Sequence, residues 1–484
     1  MTPKNATLTA ILLLMLPAAP LKAATWTITT IDNGPFLSGY LSMDIDSMNR
    51  SQVAYYFGST VVFETGTLRH AVKNGGTWNL ETVDPGASVG QYCTLRLDDQ
   101  DRPMISYYDN AETQRNLMFA WWAPVGGWTL TKVDTTGATG QHTSLAMRGD
   151  GALSIGYFNV DSADFMVARS TLAAARVAGP GPTGAWNVQP VDEIGTVGQF
   201  GSAVFNELGG EVFTYYDASL GDLVSERYLT VGQAWQRTGV DIPGDVGRFV
   251  DTLFDPWNFL HVSYYDAGQA KLKYAAARSG RNAWYSETIP TEPGADVGRP
   301  SAIAQNPSGN VEIAYRDGRG WLMLARKVKA YDWIIEPIDQ SGTVGEAIDF
   351  GIDATGRRHI VFYDATNRRL RYATAAGDPP IVGVPDDPTG GAAVLQLGAV
   401  NPNPVTTVTW IPFTTAAPGE LELTIVDVSG RRVATPHRGF EAAGAHSIPW
   451  DGTDDSGRRL PNGIYFARVT TTTETGTTKL VLAR

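Results

Sequence analysis

Seven tryptophans, Trp26, Trp78, Trp128, Trp186, Trp235, Trp284 and Trp333, recur at spacings of 52, 50, 58, 49, 49 and 49 residues. A period near 50 restricts the chain to units that stack or close into a ring. Each Trp begins the same series. A short alternating run ends in a hydrophobic–Asp pair (Val83-Asp84, Val133-Asp134, Val191-Asp192, Val240-Asp241, Ile338-Asp339), and two glycines follow. After them come small and apolar residues, then a strand ending ISYYD, TYYD, HVSYYD, IAYRD or VFYD, then one such as LMFA, LKYA or LRYA. Four short strands per unit, separated by Gly and Asp turns and without helical periodicity, describe a β-propeller blade. The run with Ser144, Ala146, Ala203, Ala302, Ala304 and Gly351 suits the crowded inner strand, a. The YYD strand is b, the LKYA strand c and the Trp strand d. The longest spacing marks an insertion over residues 171–184 in a c–d loop.

The chain opens on a d strand, Trp26 to Asp32, and its last repeat ends on a c strand, Leu370 to Thr374. Seven a–b–c sets lie between, so the N-terminal strand is expected to complete the seventh blade. Such closure removes the free sheet edges on which chains aggregate.

In an antiparallel blade the d–a and b–c loops share one face. One polar residue per blade follows the second glycine there: Gln91, Gln141, Gln199, Arg248, Arg299 and Glu346, with Tyr40 in the first repeat. These, with Arg319 and Arg368, are the candidate ligand-binding residues; the four arginines gather in the last three blades around Glu346. The YYD ends supply a second ring, Asp109, Asn159, Asp217, Asp266, Asp317 and Asp364. An Asp at a strand end accepts backbone N–H bonds, so these aspartates are read as turn-forming. Calcium is the ion such a ring suggests, yet it takes six to eight oxygens and one Asp per blade falls short, so no metal or cofactor is expected. His142 sits on this rim, whereas His261 and His359 stand at the far ends of b strands. No Ser-His-Asp motif, phosphate loop or CxxC is present. Glu346 is the only catalytic candidate, and the near-symmetric rings argue against the asymmetric acid pair of a glycosidase.

Lys4, the apolar run from Leu8 to Leu16, Pro17, Pro20 and the pair Ala23-Ala24 read as a cleaved export signal, residues 1–24. Removing it takes two of the 38 basic residues and none of the 50 acidic ones, leaving 36 against 50 and a net charge of −14. Nucleic acid and anionic membranes are therefore poor partners. Cys93 is the sole cysteine, so stability rests on core burial without an intrachain disulfide.

Up to about residue 376 the chain resembles, in architecture, bacterial neuraminidase-repeat and sialidase-like propellers, although their Asp-box S-x-D-x-G-x-x-W does not occur. After a linker rich in Pro, Gly and Asp, residues 377–392, the segment 393–484 carries more specific landmarks. They are Asn401 to Pro404, Asp427 with Gly430 and Arg431, Trp450-Asp451-Gly452, Gly463-Ile464-Tyr465 and Lys479. This segment resembles the immunoglobulin-like domain of the flagellar hook-capping protein FlgD and the type A sorting domains of type IX secretion. The resemblances imply an all-β protein, a propeller over 25–376 and a β-sandwich behind it. They also imply a place outside a Gram-negative-type cell or on its outer membrane, with the secretion machinery as a partner. Two functions stay open: a binding protein for a glycan, peptide or surface polymer, and a glycan-cleaving enzyme on the same face.

Overall fold

The computed structural model describes residues 24–483 except 35–38, 59–64, 112–114, 171–185, 207–208, 230–232, 256–257, 279–283, 292–294, 308, 330–331, 378–394, 398–399, 401, 416–418, 442–443 and 472–474. All but Ala24 of the expected export signal, the insertion at 171–184 and nearly all of the linker thus lie outside the described residues. Seven four-stranded antiparallel sheets form the propeller. Blades 1 to 6 occupy residues 41–84, 89–134, 139–192, 197–241, 246–288 and 301–339. Blade 7 pairs Val344–Ile352, Arg358–Asp364 and Arg369–Ala375 with the N-terminal strand Thr27–Asn33, in a register that sets Thr27 opposite Thr374 and Asn33 opposite Arg369. The ring closes as the strand count requires.

Strand character follows position. The b strands are covered on both faces, and every residue of Pro103–Asp109 is buried. They therefore read as continuous apolar runs. The outer strand Thr77–Asp84 alternates toward solvent.

What joins one blade to the next is polar and repeated. The hydrophobic–Asp pair ends strand d, and its carboxylate accepts a hydrogen bond from the first tyrosine of the next blade's YYD. Tyr55 donates to Asp32, Tyr107 to Asp84, Tyr157 to Asp134, Tyr215 to Asp192 and Tyr264 to Asp241, at 2.6–2.7 Å. The other carboxylate oxygen shapes the d–a turn, as where Asp84 and Asp134 accept from the amides of Gly86 and Thr136 at 2.9 Å. Cations of the following blade join them: Arg69 on Asp32 at 3.0 Å, Arg371 on Asp339 at 2.6 Å, Arg237 on Asp192 and Lys273 on Asp241. Tryptophans pack across the same seams, Trp78 against Tyr372 and Trp186 against Phe119, both at 5.2 Å between ring centroids. The second glycine of each loop lets blades approach: at Gly90, φ +102°, a Cβ would stand 2.8 Å from that of Leu68.

Behind the propeller, sheets of three and four strands enclose a core with Trp450, Val405, Ile411, Leu423, Ile448 and Val469. The FlgD-like landmarks have structural work here. Trp450 Nε1 donates to the Thr453 carbonyl at 3.1 Å, Asp451 accepts from the Thr453 hydroxyl at 2.6 Å, and Asn403 bridges the Lys479 carbonyl and the Val481 amide. Trp410 stacks on His261 of blade 5 at 6.3 Å, and Val408 packs on the blade 6 core. No helix is long and apolar enough to cross a membrane among the described residues.

Two outcomes test this framework. A chain beginning at Gly39 lacks the closing strand and should melt well below one beginning at Thr25, since the edge of Arg369–Ala375 is then unpaired. Tyr107→Phe leaves the Asp84 carboxylate without its buried donor and should cost roughly 1–3 kcal/mol in denaturant unfolding.

Candidate functional site

At the d–a rim the chain makes a β-bulge in blades 2 to 5, where the register slips on the inner strand between Gln91 and Thr94, Gln141 and Ser144, Gln199 and Ser202, and Arg248 and Asp251. The residue inside each bulge has positive φ although it carries a bulky ring: Tyr92 at 52°, His142 at 51°, Phe200 at 54° and Phe249 at 53°. Side chains rarely adopt that backbone, and its repetition in four blades marks a constrained site. With Tyr40 of blade 1 these rings form an arc, each about one ring-width from the next. Centroids are 4.5 Å apart from Tyr40 to Tyr92 and from Tyr92 to His142, 4.7 Å from His142 to Phe200 and 4.8 Å from Phe200 to Phe249. Behind the arc the second ring of each YYD, Tyr56, Tyr108, Phe158, Tyr216 or Tyr265, meets it at 6.2–6.5 Å. The arc rings are half-buried around a shallow cavity of about 180 Å³ at the channel mouth. Pro300 and Ala347 take the equivalent places in blades 6 and 7, so the arc is open on that side.

Of the predicted ring, Tyr40 belongs to this lining, and the polar residues of the other blades lie one residue away from it. Gln91 and Gln141 bond the hydroxyls of Tyr56 and Tyr108 in the preceding blade. Arg248 pairs with Asp245 at 2.7 Å over Tyr216, and Arg299 with Asp296 at 2.5 Å over Tyr265. Arg319 pairs with Asp317 at 2.6 Å and covers Trp321. The arginine sector is thus one of ion pairs. Gln199 is half-buried beside Phe200, while Arg368 and Glu346 are exposed. Asp109, Asp217, Asp266, Asp317, Asp364 and Asn159 each accept from turn amides two or three residues on. The bulge is what hid the arc: the residue after the second glycine is the one that repeats as polar, and the bulge carries the ring that follows it to the cavity.

Below the arc, Asp44, Asp251 and Asp349 face the channel, with Arg96 among them, around a cavity of about 490 Å³. Each clasps the next blade's inner strand: Asp349 accepts from the Met43 amide at 2.7 Å, Asp44 from Leu97 and Asp251 from Ile303 at 2.9 Å. Burial raises all three carboxyls, Asp251 to about 6 with the Asp349 charge adding to it. Burial lowers His142 to about 4, so it serves the arc as a neutral ring, and pushes the Cys93 thiol behind it up to about 12.

One arrangement was not legible from spacing. Ser51 Oγ lies 3.0 Å from His359 Nδ1, and His359 Nε2 lies 3.0 Å from Asp353. Ser51 is fully buried, and His359 also meets Tyr372 at 2.5 Å, so this trio secures the seam between blades 1 and 7 and cannot meet a substrate. No cluster of three or more His, Cys, Asp or Glu suited to a metal ion occurs among the described residues.

The two shifted groups act oppositely with pH. His142 excludes a proton when folded, so it supports neutral-pH stability that is lost as pH falls from about 6.5 toward 4. His142→Phe should flatten that loss. Asp251 holds its proton more tightly when folded, so its ionisation costs stability as pH rises from about 4 through 6. The melting temperature of Asp251→Asn, relative to the wild type, should rise between pH 4 and 7.5.

Residues 403–475 match the FlgD Ig-like domain family. No curated protein matches the chain by sequence. Among solved structures, the BP39L lectin from Burkholderia pseudomallei aligns with a TM-score of 0.54 and 16% identity over 70% of this chain and 96% of that one. The Aleuria aurantia lectin aligns at 0.42 and 11%, over 64% and 98%. PorZ, a surface component of the Porphyromonas gingivalis type IX secretion system, aligns at 0.37 and 12%, over 91% and 68%. The chain is a seven-bladed β-propeller, similar in fold to BP39L, followed by a domain that matches the FlgD Ig-like family.

Proposed function

We propose that this is an exported or cell-surface glycan-binding protein, with the aromatic arc as its binding face and the FlgD Ig-like domain serving export or attachment. The arc carries the proposal. Sugar rings present apolar C–H faces, and aromatic rings held rigidly at a concave mouth offer large contact area at little conformational cost. Gln91, Gln141 and Gln199 beside the arc supply amides for sugar hydroxyls. Five consecutive rings suit a polymer better than a single sugar. BP39L being a lectin adds that the same scaffold is used for saccharides elsewhere, though fold alone does not carry function.

Screening the mature chain against a glycan array should reveal binding that Tyr92→Ala with Phe249→Ala weakens at least tenfold, and that Glu346→Gln leaves intact. Turnover of a bound glycan that Glu346→Gln abolishes would instead make the protein an enzyme. For the C-terminal domain, a chain ending at Ala376 should be retained inside the cell envelope; its normal appearance outside would remove the export role.

A further inference from the structure

The inter-blade Tyr–Asp bond is missing at two of the seven seams: between blades 6 and 7 Phe362 stands in the tyrosine's place and Arg371 holds Asp339, whereas between blades 5 and 6 the aspartate is missing and a cavity opens. Strand d of blade 5 sets Thr288 opposite Lys273 as blade 1 sets Thr82 opposite Arg69, so Pro290 stands where Asp84 would. Tyr315 of blade 6 keeps the tyrosine position. It is 2% exposed, burial raises its hydroxyl, and no carboxylate among the described residues accepts from it. Tyr315 lines a cavity of about 940 Å³ with Pro290, Thr291, Asp296, Arg319 and Met323.

We infer that this cavity binds the carboxylate of a hexuronic acid unit, which takes the place of the missing aspartate on the Tyr315 hydroxyl. At five seams a carboxylate sits 2.6–2.7 Å from this hydroxyl, so the geometry for accepting the bond is already built by the fold. The cavity's two acids do not oppose one added charge: Asp296 is held by Tyr265 at 2.8 Å and by Arg299, and Asp317 by Arg319. Their oxygens and Thr291 Oγ1 offer acceptors for ring hydroxyls, and Pro290, Val297, Met323 and Ile335 supply apolar wall. A polyol with one carboxylate matches this lining. An acidic peptide brings several charges toward the same two aspartates and lacks the hydroxyls. The inference shares its ligand class with the proposed function, but the arc is no part of the site.

Titration of the full mature chain with glucuronate and galacturonate, beside glucose and galactose, tests it. The uronates should bind at least tenfold more tightly than their neutral parents, and Tyr315→Phe should remove most of that margin. Pro290→Asp restores a protein carboxylate to the position and should raise the melting temperature while abolishing uronate binding. The margin of uronate over neutral sugar should persist in Tyr92→Ala whatever that change does to glycan binding at the arc, so failure of the arc and of this cavity are distinguishable. Uronates binding no better than the neutral sugars, Pro290→Asp retaining the margin, loss of the margin in Tyr92→Ala, or preference for an acidic peptide would each overturn the inference.

Discussion

The buried hydrogen bond from a tyrosine of one blade to the aspartate that ends the blade before is the interaction on which the ring depends. Each carboxylate would be costly to bury alone. Accepting at once from a tyrosine, from its own turn amide and at several seams from a neighbouring cation, it becomes a fixed joint between neighbouring sheets. The joint also fixes where the d–a loop lies, and therefore where the bulged residue that follows it can point. The aromatic arc is a consequence of the seam as much as of its own residues.

Much of this could be read from the sequence. The Trp period, the hydrophobic–Asp pairs and the strand count led to seven blades and N-terminal closure, because each signal is a local pattern repeated nearly unchanged. Asp84 and its equivalents were legible as a repeated landmark but not in their role, because the bond of each to a tyrosine 23 residues later crosses between blades. Likewise Ser51 meets His359, which Asp353 of its own blade holds, only because the ring brings its first and seventh blades together. At the rim the repeated polar positions were legible and the rings beside them were not. Gln91, Gln141 and Gln199 drew notice as repeated polar positions, yet a bulge turns the residue after each toward the channel, and nothing in period-two alternation announces a bulge.

The arginines illustrate a different limit. Counted along the chain, Arg248, Arg299 and Arg319 suggest a cationic sector. In space each guanidinium is paired with an acid two or three residues before it and lies over an aromatic ring. Such short-range pairs leave little net field, and the negative charge of the whole chain stands unopposed at long range.

The contact of Trp410 and Val408 with blades 5 and 6 gives the molecule a polarity. His261 and the loop at Gly309 and Asn310, which border Trp410, belong to the a–b end of their blades, opposite the aromatic arc. Whatever holds the C-terminal domain thereby holds the propeller from behind. The rings of Tyr92, Phe200 and Phe249 then face away from that domain, so the proposed tethering and the proposed ligand capture would occupy opposite ends of one molecule and need not compete for surface.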